Sequence, residues 1–139
     1  MSDILMQQKA SVERCIKQAR DYYAMPSEKS FSDDLYKQDV VVINLQRACE
    51  QCIDLANHVI RLKKLGLPSD SAESFTLLRK ANIISAELER KLIGMLGFRN
   101  IVVHQYRDID YKKVETVVNK HADDLIEFAG ILVAAAIAK

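Results

Sequence analysis

The spacing of its apolar residues leaves this chain little choice but to be helical along most of its length. From Val41 the apolar and small positions run Val41, Leu45, Ala48, Cys52, Leu55, Val59 and Leu62. The same alternation of four and three returns in Val114, Val118, His121, Leu125, Phe128, Leu132 and Ala135, and again in Leu88, Leu92, Met95, Arg99, Val102 and Tyr106. A shorter version runs through Leu5, Val12, Ile16, Ala19 and Tyr23. Steps of three and four keep residues on one stripe of an α-helix. No segment sustains the alternation of a strand. Four Gly and two Pro in 139 residues are too few for a turn-rich β fold.

Punctuation divides the periodic stretches. Pro26 to Ser32 separates the first helix from the second, with Ser32 or Asp33 expected to cap the latter. Gly66, Pro68, Ser69, Asp70 and Ser71 form a second break, and a short helix is expected around Ala72 to Lys80. Ser85 can cap a long helix reaching about Tyr106. Asp108 to Asp110 make a turn, and Asp110 can cap the last helix. Long helices on short loops pack as antiparallel neighbours, so the expectation is an all-α, up-and-down bundle of four long helices and a short one, with residues 1–139 as one domain.

Charge and cysteine narrow the function classes. The net charge is +1, so there is no global nucleic-acid footprint, although Arg79 to Arg107 carries six Lys/Arg against Glu87 and Glu89. Three Cys and no leader-like N-terminus fit a reducing cytoplasm. The apolar run Ile131 to Ala138 is far below the ~20 residues of a membrane span. Cys49 and Cys52 sit within a helical stripe and lack a second pair, which argues against zinc. The residues three before His58, His104 and His121 are Leu55, Ile101 and Val118, so there is no di-iron pattern. His121 is expected in the core and His58 on the surface.

One residue breaks the pattern. Arg99 falls on an apolar stripe, and burying an unpaired charge costs several kcal/mol. It therefore either reaches water or meets an anion. Beside that stripe lies a ridge of Ile93, Gly97, Asn100 and His104. Glycine within a helix costs roughly 1 kcal/mol against alanine; either a packing gap or the close approach of another backbone or ligand accounts for Gly97. Arg99 and His104 lie about 140° apart around the axis, so two copies of this helix, brought together in a dimer, would line one cleft more economically than one.

Arg99-Asn100, His104 and Gln105-Tyr106, in the order R-x4-H-x-Y before the last helix, resemble the signature of HEPN domains, and in this longer form that of HepT-like toxins paired with MntA-like nucleotidyltransferase antitoxins. The surrounding stretch Gly97 to Asp110 and the order of helices match the same family. The resemblance implies a HEPN helical bundle, a homodimer with its motifs facing each other, and a metal-independent endoribonuclease of a type VII-like toxin–antitoxin system. It also implies that the antitoxin silences the toxin by AMPylation, transferring AMP from ATP onto the motif tyrosine, here Tyr106. Arg99 and His104 are then catalytic, Asn100 supports them, and neither metal nor cofactor is required.

The residue chemistry suits that task. His104 can exchange a proton near neutral pH, and Arg99 offers a permanently charged fork to phosphate oxygens. A ribose 2′-OH attacking the adjacent phosphorus would leave a 2′,3′-cyclic phosphate and would spare DNA. An alternative is a non-catalytic partner of a minimal nucleotidyltransferase, gripping a nucleotide phosphate through the same Arg99 and His104. A purely structural bundle is a third reading.

Overall fold

The computed structural model describes residues 2–138, all strandless. Helix α1 (Ser2–Ala24) packs along α2 (Leu35–Lys63), the most extensive helix pair in the molecule. Helix α3 (Ser71–Lys80) crosses the far end of α2 and leads into α4 (Ala86–His104). Helix α5 (Tyr111–Thr116) runs through a π-helical turn (Val117–His121) into α6 (Ala122–Ile137), which returns against α1 and α2. One continuous core joins them, with Ile16, Leu45, Leu55, Leu92, Phe128 and Leu132 all but sealed from water. Phe75 of α3 and Phe128 of α6 meet edge to face at 5.4 Å, a geometry that aromatic quadrupoles favour. No helix among the described residues is long and apolar enough to cross a membrane.

The starts of α2, α3, α4 and α5 are each held by a short acceptor side chain. Asp70 accepts from Glu73 N at 2.8 Å, Ser85 from Leu88 N at 3.0 Å and Asp110 from Lys112 N at 3.0 Å. Such bonds satisfy amides that the helix itself leaves unpaired. The second helix starts later than its sequence suggested. Phe31–Asp33 forms a 3₁₀ turn that buries Phe31 between the rings of Tyr23 and Tyr111. The cap therefore passes to Asp34, which accepts from Lys37 N at 3.1 Å.

Two histidines depart from expectation. His58 is buried rather than exposed, on a helix packed by α1, α3, α4 and α6. His121 is not a core residue: its side chain is half exposed, with Nδ1 3.5 Å from Asp124 Oδ2. The π turn explains this. Ala122 N–H reaches back five residues to Val117 O, so the buried register steps from Val118 to Ala122 and leaves His121 outside.

Helix α4 stands at the edge of the bundle. An ion pair ties it to each neighbour: Glu89 to Arg79 of α3 at 3.0 Å, Lys91 to Asp124 of α6 at 3.7 Å, and Arg99 to Glu50 of α2 at 3.5 Å. Leu88, Leu92, Met95, Leu96 and Val102 face inward. The opposite ridge, Ile93, Gly97, Asn100 and His104, is exposed along its whole length.

Candidate active site on helix α4

Arg99 occupies its stripe position in the inner half of α4, with only 18 % of its side chain exposed. Glu50 balances the charge, which answers the cost of placing it there. The contact runs through Nε and lacks hydrogen-bond geometry. The guanidinium makes no hydrogen bond among the described residues, so its charge is compensated while its donors stay unmatched. Arg99 and Asn100 border a depression of about 510 Å³ together with Gly97, Ser71 and Asp70 at the start of α3.

His104 is the last residue of α4 and is exposed. The helix closes behind it when Gln105 N donates to Ile101 O at 2.8 Å. Within one chain no hydrogen bond or ion pair joins Arg99 to His104, as their angular separation on the helix requires. The basic stretch is also less free than its composition implied, because Arg79, Lys91 and Arg99 each have an acidic neighbour.

The chain leaves α4 in a 3₁₀ turn (Tyr106–Asp108). This turn swings the Tyr106 ring off the helix stripe and toward α2, where 53 % of the residue stays exposed. Its hydroxyl donates to Asp39 Oδ1 at 2.8 Å. That hydrogen bond, then partial burial and the negative charge of Asp39, push the phenol up to about 12. Tyr106 and Asp39 border a groove of about 440 Å³ with Tyr36, Ile43 and Val102. Asp39 and Glu50 are the site residues that the sequence did not reveal. They lie on α2, far from the motif along the chain, and nothing in the local spacing marks either.

The depression and the groove thus flank α4, one on the Arg99 side and one on the Tyr106 side. The family model described as Ribonuclease HepT-like matches residues 12–131. The chain belongs to the HepT-like ribonuclease family. That span includes Asp39, Glu50 and the whole of Arg99 to Tyr106. The HepT-like chain is 42 % identical over 132 residues to the Shewanella oneidensis protein named mRNA nuclease HepT, covering 95 % of this chain and 98 % of that one. It is 34 % identical over 70 residues to a protein of Aphanizomenon flos-aquae named tRNA nuclease HepT, covering 50 % and 48 % of the two chains. Among solved structures it superimposes with a TM-score of 0.88 on a tri-AMPylated Shewanella oneidensis HEPN toxin in complex with MNT antitoxin, at 42 % identity, covering 96 % of this chain and 99 % of that one. The helical bundle read from the periodicity is therefore the HEPN bundle, and the HepT-like resemblance read from the motif holds.

Proposed function

We propose that this chain is the toxin of a toxin–antitoxin pair, an endoribonuclease that acts as a homodimer and is silenced when an MntA-like nucleotidyltransferase antitoxin AMPylates Tyr106. The observation that carries the reading is a guanidinium held in the inner half of α4 whose Nε has no hydrogen bond among the described residues, beside an exposed ridge ending in His104. The family match, and the names of the relatives, support the same conclusion.

In this mechanism His104 removes the proton from a ribose 2′-OH. The freed oxygen attacks the neighbouring phosphorus, the bond to the 5′-oxygen breaks, and the leaving oxygen takes up a proton. Arg99 stabilises the charge that develops on the non-bridging oxygens, and Asn100 orients the phosphate or the imidazole. Because Arg99 and His104 diverge around one helix, the groove is completed by α4 of a second copy. AMP on Tyr106 adds bulk and negative charge two residues beyond His104, at the end of that helix, which obstructs the phosphate path of the groove between the two copies.

The test is RNA cleavage in EDTA by the wild type, Arg99→Ala and His104→Ala. Cleavage to 2′,3′-cyclic phosphate ends, lost by at least ~100-fold in both variants, is expected. Equal cleavage by either variant would exclude that residue from the chemistry. A second reading, a nucleotide-gripping partner without catalysis, is favoured by the Arg99 Nε that has no hydrogen bond among the described residues, beside the depression of about 510 Å³. RNA left intact by the wild type, together with ATP binding that depends on Arg99, would favour it.

A further inference from the structure

The motif explains why Tyr106 should accept AMP but not how its hydroxyl loses a proton. We propose that Asp39 is the proton acceptor for nucleotidyl transfer onto Tyr106, an inference that rests on the reading of Tyr106 as the modified residue. The geometry is direct. Asp39 Oδ1 lies 2.8 Å from the phenolic oxygen, and Tyr106 is the donor in that bond. Asp39 is held on α2 between the buried Gln38 and Val41, while its carboxylate faces solvent. Among the described residues it has no other hydrogen bond and no ion pair. Beside the pair the groove between α2 and the end of α4 is open, with Tyr36 88 % exposed on its wall. Its volume of about 440 Å³ lies in the range of small-molecule sites.

The chemistry needs such an acceptor. With the phenol pushed up to about 12, only about one molecule in 10⁵ is phenolate at pH 7. The reaction therefore starts from the neutral hydroxyl. The phenolic oxygen attacks the α-phosphorus of ATP and forms the O–P bond. The bond from that phosphorus to the oxygen bridging the β-phosphate breaks, and pyrophosphate leaves with the electron pair. The phenolic proton passes to Asp39 Oδ1 and from there to water. The antitoxin supplies the bound ATP, and the toxin supplies both nucleophile and base.

A role confined to holding the ring would look different, and Asp39→Asn separates the two. The amide oxygen can still accept from the phenol, but it cannot take the proton. The experiment uses the full-length protein with the partner nucleotidyltransferase and ATP, following the first AMP by intact mass between pH 6.5 and 9. The wild-type rate should vary little with pH over that range. In Asp39→Asn it should fall by about 10²-fold at pH 7 and climb about tenfold per pH unit, as hydroxide-dependent phenolate takes over. Asp39→Glu should restore the flat profile, and circular dichroism should show native helix in each variant. An Asp39→Asn rate equal to wild type overturns the proposal. So does a slowed rate that keeps the wild-type pH profile, which would make Asp39 a positioning residue. Modification of Tyr106→Phe at the wild-type rate would instead remove the reading of Tyr106 itself, and this inference with it.

Discussion

Replacing Gly97 with alanine should make the folded chain more stable and the enzyme worse. Gly97 lies inside α4 on the exposed ridge, and a Cβ built there meets nothing within 4 Å. No steric cost offsets the better helix propensity of alanine, so the gain is about 1 kcal/mol. For 139 residues the entropy of unfolding is about 0.3 kcal/mol/K, so the midpoint should rise by about 3 °C. Thermal unfolding followed by circular dichroism, at dilutions where sedimentation shows a monomer, measures this term alone. In the proposed dimer two α4 helices approach across the same ridge, and there an added methyl group would intrude. Sedimentation equilibrium should give weaker self-association for Gly97→Ala, and RNA cleavage should drop at concentrations where the wild type is paired. A lower midpoint in the monomer would refute the view that this face is empty within the chain. An unchanged dissociation constant would refute the view that a second copy covers it.

Three further outcomes follow from the same fold. Cys49 is fully buried, and burial first, then the charge of Glu50, raises its thiol to about 12. Cys49 and Cys52 should therefore resist alkylation at pH 8 in the native protein and react once it unfolds in urea. Phe128 is fully buried against Phe75, so Phe128→Ala should lose about 3–5 kcal/mol in urea unfolding, a large share of the stability of an ordinary domain. The bond between Tyr106 and Asp39 raises the folded phenol above its unfolded value of about 10. Its stabilising contribution is thus intact below pH 10 and is lost as pH rises through about 12, and tyrosinate absorbance should lose its latest-titrating component in Tyr106→Phe.

How much of this could be read from the sequence depends on what each residue answers to. The stripes of α2 and α4 were legible because three–four spacing and burial are one fact viewed twice, and Leu45, Leu55 and Leu92 fell where the period put them. Ser85 and Asp110 were legible as caps because a cap acts on an amide two or three residues away. The start of α2 was not, since the packing of Phe31 on Tyr23 and Tyr111 decides it. His121 was misjudged because periodicity assumes a regular helix, and the chain places one more residue than usual in that turn. At the site, Arg99 announced itself as a charge on an apolar stripe. Asp39 could not, because an exposed aspartate near a helix start is commonplace until Tyr106 is found beside it in space.

The π turn at Val117–His121 bears on how this chain can tolerate a change in length. A π turn is a helix that has taken in one residue too many and looped the surplus outward. Had the surplus instead been wound into regular helix, everything downstream would have rotated by about 100°. Leu125, Phe128 and Leu132 would then have turned away from α1 and α2. The bulge confines the mismatch to a single turn, so a one-residue insertion between the motif and the last helix need not disturb the packing on which both depend.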